Sequence, residues 1–311
     1  MGSGLRILAG LAGLLVGAEL LVRGATALAS RLGIRPIVIG LTVVSVGTSL
    51  PELAIGIDAV RQGSPGLAVG NIVGANLISI LLILGLSAVI RPITFERLTL
   101  RFELPAMTVA SLALWLLALD GSLARGDGIV LCLGGVAYTA GIVWTSRQDP
   151  EVVAAPARGG GRPMLNGLAL VAGIAIIIVG AELLFDGAIE VARSLKVSEA
   201  IIGLTVVAIG TTAPELVTTL VSTVRGDRDI AIGNLLGSSV YNIAVILGIT
   251  VLVAPSALEI PPEVLAADLL LLVVATVITV PVLLSGQRMT RGEGGAFVAA
   301  YVGYLLWLIL G

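Results

Sequence analysis

The chain has 311 residues, 57% of them hydrophobic and 12% charged, with a mean hydropathy of +1.09, which excludes an ordinary soluble domain of this length. A net charge of −2 confined to short connections offers no basic surface for nucleic acid. A single cysteine, Cys132, and no histidine exclude an internal disulfide and the usual zinc or iron sites, so any metal handled here is a hard cation bound by oxygen.

Read for apolar runs of about 20 residues, the chain yields ten transmembrane spans, near 6–23, 37–60, 67–90, 103–119, 128–146, 165–185, 200–224, 230–254, 264–285 and 295–310. The first is expected to be retained, although Ala27-Leu28-Ala29 resembles a signal-peptidase site. Gly17-Ala18-Glu19-Leu20-Leu21 recurs as Gly180-Ala181-Glu182-Leu183-Leu184, where no signal peptide could lie. The same offset of 163 residues relates Gly40-Leu41-Thr42-Val43-Val44 to Gly203-Leu204-Thr205-Val206-Val207, Gly70-Asn71 to Gly233-Asn234, and Glu52 to Glu215. The predicted fold is therefore an all-α polytopic membrane protein of ten helices in two five-helix repeats, residues 1–146 and 165–311. Residues 147–164, with their charges, prolines and Gly159-Gly160-Gly161, form a cytoplasmic linker.

An odd number of spans per repeat forces the second copy to enter the membrane inverted. Of the 18 basic residues, one set of alternate connections holds only Arg6, Arg61, Arg125, Arg193 and Lys196. The positive-inside rule then places both termini outside the cytoplasm.

The second span carries Gly47-Thr48-Ser49-Leu50-Pro51-Glu52 and the seventh Gly210-Thr211-Thr212-Ala213-Pro214-Glu215. Proline cannot donate to the carbonyl four residues back, so Pro51 loosens the helix at Gly47 and Pro214 at Gly210, freeing carbonyls near Ser45 and Ala208. Thr48 and Glu52, like Thr211 and Glu215, are four residues apart and share a helix face. A carboxylate at mid-bilayer costs about 2.5–3.5 kcal/mol on insertion scales. No lysine or arginine within these two spans can offset that, so the expected partner is a cation or a proton. Two carboxylates with hydroxyls and carbonyls suit calcium, which takes about six to eight oxygens, or sodium. In the following span of each half, Asn76 and Ser79, and Ser238, Ser239 and Asn242, offer further oxygens, while Gly70, Gly74, Gly233 and Gly237 permit close helix approach. Glu19 and Glu182 form another symmetric pair, expected near helix ends in a structural or gating role, and Asp58, Asp120 and Asp268 are expected at the membrane interface.

These motifs, together with Gly70 to Asn76 and Gly233 to Ser239, resemble the cation/calcium antiporter superfamily and its two alpha-repeats, here residues 40–90 and 203–253. The chain looks most like the prokaryotic sodium/calcium exchangers over nearly its whole length. The resemblance implies that Glu52, Glu215, Thr48, Thr211 and the backbone carbonyls of Ser45 and Ala208 bind calcium. Sodium would use the same carboxylates, with Ser49, Thr212 and Ser238 helping to form flanking sites near Ser79 and Asn242. Ala75 stands where the family has serine, Ser79 where it has Asn or Asp, and Asn242 where it often has Asp, so proton coupling stays open beside sodium. The expected protein is a multi-pass antiporter of the cell membrane, with no cofactor and no enzymatic activity. Its expected partners are lipid and inorganic cations. A monomer is expected, because each chain holds both halves of the site. A cation channel is the less favoured class.

Overall fold

The structure, a computed structural model, describes residues 2–32, 34–95, 99–147, 163–194 and 208–310. In chain order these form α1 (Ser3–Leu32), α2 (Pro36–Ile39), a π-helical turn (Gly40–Val44), α3 (Ser45–Thr48), α4 (Leu50–Arg61) and α5 (Pro65–Leu77). A π turn (Ile78–Ile83), α6 (Leu84–Ile90), β1 (Ile93–Thr94), a π turn (Thr99–Glu103), α7 (Leu104–Leu117), β2 (Ser122–Leu123) and α8 (Arg125–Arg147) complete the first half. The second half has α9 (Pro163–Ser194), α10 (Ala208–Thr211), α11 (Ala213–Arg225), α12 (Arg228–Tyr241), a π turn (Asn242–Leu247) and α13 (Gly248–Val253). It ends with β3 (Leu258–Glu259), a π turn (Val264–Asp268), α14 (Leu269–Leu284), β4 (Arg288–Met289) and α15 (Arg291–Leu310).

Eight helical runs among the described residues are long and apolar enough to cross a membrane, from Ser3–Arg31 to Val264–Leu284. The protein is thus a helical membrane protein. The predicted span 200–224 is described only from Ala208 on, and residues 148–162 of the predicted linker lie outside the described residues.

Close contacts divide the chain into two compact units, and each draws on both sequence halves. The first comprises Met1–Thr48, Val143–Asn234 and Val302–Gly311. Its frame is the antiparallel pair α1 and α9. Glycines seven residues apart on α1 (Gly10, Gly17, Gly24) meet α9 backbone at Gly180 and Leu184, at Gly173 and Ile177, and at Asn166 and Leu170. A Cβ at Gly17 would lie 2.8 Å from Ile177 N and one at Gly173 2.6 Å from Leu21 N, so only glycine allows the two backbones to touch. Leu14, Leu21, Val22, Ile177 and Ala213 form the buried core beside this seam.

Because α1 and α9 run well past the predicted spans, Glu19 and Glu182 sit within long helices rather than near their ends. The apolar count stopped at charged residues that a 30-residue helix simply carries onward. Glu19 Oε1 lies 2.5 Å from Arg23 and Oε2 2.8 Å from Arg225, while Glu182 is exposed.

The second unit comprises Ser49–Ile142 and Leu235–Tyr301. Two antiparallel ribbons tie its connections together. Ile93 pairs with Met289 and Thr94 with Arg288, and Ser122 pairs with Glu259 and Leu123 with Leu258. Glycines again set the approach of helices: a Cβ at Gly85 would lie 2.8 Å from Gly294 O, and one at Gly248 2.7 Å from Cys132 Sγ.

Candidate functional site

Each half presents the same local device. α3 ends at Thr48, Ser49 takes φ −86° and ψ 5°, and α4 begins with Pro51 in its first turn. In the second half α10 ends at Thr211, Thr212 takes φ −86° and ψ 4°, and α11 begins with Pro214 in its first turn. A first-turn proline forfeits no helical hydrogen bond, because that N–H has no partner within the helix. The interruption therefore falls at Ser49 and Thr212, two residues beyond the glycines at which the sequence places it. Proline starts the second half-helix more readily than it bends a continuous one. Glu52 and Glu215 follow at once in the first helical turn, where the positive end of the helix dipole favours a carboxylate. Their exposures are 0% and 1%.

In the first unit, Asn234 is the centre of the polar contacts. Its Oδ1 lies 3.1 Å from Thr48 Oγ1, and its Nδ2 donates to Thr219 Oγ1 at 3.0 Å and approaches the Glu215 carbonyl at 3.5 Å. Ser45 Oγ donates to Gly40 O at 2.7 Å and lies 3.2 Å from the carbonyls of both Gly233 and Asn234. The structure thus brings Ser45, Thr48 and Asn234 together, drawing on both sequence repeats. The Ser45 carbonyl, expected to be vacant, is approached by the Thr48 hydroxyl at 3.3 Å. Thr211 and Thr212 are buried; Ala208 opens α10, and its side chain lies outside the described residues.

In the second unit, Asn71 Nδ2 approaches the Glu52 carbonyl at 3.4 Å, the counterpart of the Asn234 contact. Both distances are long for hydrogen bonds, yet they recur 19 residues after each glutamate. Ser49, Ser79, Ser238 and Asn242 are fully buried here. Ser238 Oγ donates to Leu235 O at 3.2 Å and Ser239 Oγ to the same carbonyl at 3.0 Å. Asn76 Nδ2 donates to Ile72 O at 2.8 Å, whereas Asn76 Oδ1, Ser79 Oγ and both polar side-chain atoms of Asn242 have no hydrogen-bond partner among the described residues. Buried polar atoms rarely stay unpaired, so this set fits a bound ion or water. Asp58 and Asp120 are exposed and bonded locally, to Gln62 and to the Ser122 N–H.

Sequence reasoning missed two features. Asn71 and Asn234 were legible only as companions of glycine, although their fixed distance from each glutamate is a usable signal. The other is a third buried acid, Glu103, which accepts the Tyr138 hydroxyl at 2.5 Å with Tyr138 packed edge-on to Tyr241. The predicted span 103–119 begins at Glu103, whereas the helical run starts at Thr99.

Paired, proline-started half-helices with buried carboxylates in a helical membrane protein define a class: cation carriers. The sequence matches the family described as sodium/calcium exchanger protein over residues 3–144 and 166–310, and the chain belongs to that family of cation/calcium antiporters. It is 37% identical to the inner membrane protein YrbG of Escherichia coli over 98% of this chain and 95% of that one. It is 28% identical to the sodium/calcium exchanger MaX1 of Methanosarcina acetivorans, over 97% of each chain. A structure of the sodium-calcium exchanger NCX_Mj, soaked with sodium and strontium, superposes with a TM-score of 0.85 at 28% identity, covering 96% of both chains.

Proposed function

We propose that this chain is a secondary-active antiporter exchanging calcium for sodium, the two ions competing for the carboxylates of Glu52 and Glu215. One observation carries the reading: in each unit a buried glutamate follows a helix break, its carbonyl approached by an asparagine. Thr48, Thr211 and the carbonyls of Ser45 and Ala208 would complete the calcium ligands, with Ser49, Thr212, Ser238, Ser79 and Asn242 flanking them for sodium. Competition supplies the coupling. A neutralised pair of carboxylates can be occluded, whereas an empty charged pair resists desolvation.

Ten spans in two inverted repeats, 1–146 and 165–311, suit the strand ribbons. Hydrogen-bonded connections lie on one membrane face, so an even number of crossings must separate their strands. Between β2 and β3 lie Arg125–Thr145, Met164–Val191 and Arg228–Val253, an odd number until α10 and α11 are counted as a span. β1 and its repeat counterpart β3 fall in different ribbons, as inversion requires. The β1–β4 connections carry Arg91, Arg288 and Arg291, which favours the cytoplasm for that face and the outside for both termini.

A second reading, calcium/proton exchange, draws on the neutral Ser79 and Asn242, which leave the site two acids only. The test uses proteoliposomes. Calcium uptake driven by internal sodium at clamped pH supports the first reading, and uptake driven only by a pH gradient supports the second. Uptake unchanged with no exchangeable ion inside overturns antiport. Glu52→Gln and Glu215→Gln abolish uptake while the protein stays folded; normal uptake in either removes the site.

A further inference from the structure

The repeats agree closely up to the two glutamates and then part. Beyond Glu215, α11 carries Thr218, Thr219, Ser222 and Thr223, three, four, seven and eight residues on, all on the glutamate's face and none more than 5% exposed. At the equivalent positions after Glu52, α4 carries Ile55, Gly56, Ala59 and Val60. The α11 face opposite the hydroxyls is apolar, with Val217 and Val221 packed against the core of the first unit.

Buried hydroxyls in a membrane helix ordinarily satisfy themselves by bonding the carbonyl four residues back. Thr223 does so, donating to Thr219 O at 2.8 Å, and Thr219 Oγ1 accepts from Asn234. Thr218 Oγ1 and Ser222 Oγ have no hydrogen-bond partner among the described residues, although both residues are 0% exposed. The stripe ends at Arg225, whose guanidinium is held by Glu19, itself bound to Arg23. This carboxylate offsets the positive charge where the stripe meets the surface. At about 1.5 Å per residue, the ten residues from Glu215 to Arg225 span about 15 Å, half the hydrocarbon thickness of about 30 Å.

We infer that Thr218, Thr219, Ser222 and Thr223 line a hydrated cation path joining Glu215 to the membrane face that carries Arg225. The chemistry is that of a partly hydrated inorganic cation, whose shell the hydroxyl oxygens replace in turn. α4 offers no such oxygens, so the two approaches to the glutamates differ. The inference rests on the antiporter reading for what moves along the path, but its test does not require transport.

The test places single cysteines at Thr218, Ser222, Ile55 and Ala59 in a Cys132→Ala background, in sealed vesicles of known orientation. A charged, membrane-impermeant methanethiosulfonate is added from each side in turn. Thiol reaction needs thiolate and access to water, so Ser222→Cys and Thr218→Cys are expected to react from the Arg225 face alone, on the order of tenfold faster than Ile55→Cys and Ala59→Cys. Calcium should slow the reaction at residue 218. Equal, slow reaction at residues 222 and 59 from both sides overturns the path. If a cysteine variant fails to fold, Thr218→Val and Ser222→Ala keep the shape. A raised half-saturating calcium concentration from the Arg225 face then supports the path, and unchanged kinetics overturns it. Cysteine variants that label as expected, beside wild-type vesicles that carry no calcium, would sink the antiporter reading and leave the path standing.

Discussion

Replacing Gly173 by alanine tests whether the α1–α9 seam is a true backbone contact. The added Cβ would lie 2.6 Å from Leu21 N and 2.8 Å from Gly17 O, where ordinary contact begins at 3.4 Å, so the helices must part by about 0.6–0.8 Å. A radial gap of that size forfeits about a quarter to a half of each dispersion contact along the seam. Overpacking of this kind costs about 1–3 kcal/mol. Alanine also returns about 1 kcal/mol of helix propensity, which leaves a net loss of about 0–2 kcal/mol. Gly167 is the control, since a Cβ there meets nothing within 4 Å and only the propensity gain remains. The assay is thermal unfolding of both variants in one detergent, read against the wild type. Gly173→Ala is expected to melt below Gly167→Ala, and Gly173→Val lower still. If Gly173→Ala melts at or above Gly167→Ala, the helices have room and the seam argument is wrong.

Two further outcomes follow from buried or capping carboxyls. Tyr138→Phe leaves Glu103 without its hydroxyl donor and should cost about 1–3 kcal/mol, whereas adding Glu103→Leu removes both polar groups and should recover most of the loss. Additive losses in that double-mutant cycle would show that the pair does not interact. At the start of α15, before the predicted tenth span, Glu293 Oε2 accepts the Thr290 N–H and hydroxyl at 2.7 Å each, and Thr290 Oγ1 lies 3.3 Å from the Glu293 N–H. These bonds, backbone first, hold the Glu293 carboxyl below its usual range. Its folded pKa lies below the unfolded one. The cap therefore contributes fully above the unfolded value of about 4.3 and is lost as pH falls through the folded value. Thr290→Ala should flatten the acid limb of the stability profile, and an unchanged limb would refute the cap.

The equivalence of Glu52 and Glu215 in the two sequence halves was legible because proline, threonine and glutamate keep a fixed spacing that apolar similarity would not conserve. The location of the break was less so. Proline rules a residue out of a helix interior, but whether the chain bends or ends and restarts depends on Ser49 and Thr212 adopting a turn, which no sequence pattern states. Helix length misled in the same way. Apolar counting stops α1 at Arg23, yet the helix runs to Leu32, with the Arg23 charge paired to Glu19 one turn back. The glycine seam was present as a seven-residue spacing in both α1 and α9, but spacing alone does not say which helix lies opposite. Only the coordinates join Gly10 to Gly180 and Gly24 to Leu170.

The proposed path gives the difference between α4 and α11 a functional reason. Under the proposed inverted topology the two half-helices would leave the glutamates toward opposite faces, each covering about half of the bilayer. Hydroxyls on both would form a continuous wet path of about 30 Å, and ions would pass without exchange. On that reading, apolar Ile55 and Ala59 would act as a dry barrier on the α4 side. Installing Ile55→Thr with Ala59→Ser copies the α11 pattern onto α4, and both substitutions are close in volume to the originals. The expected result in proteoliposomes is calcium entry that no longer requires an exchangeable internal ion. If the double variant folds and its calcium uptake still depends fully on the internal ion, the barrier does not reside in these side chains, and coupling must come from the closure of whole helices instead.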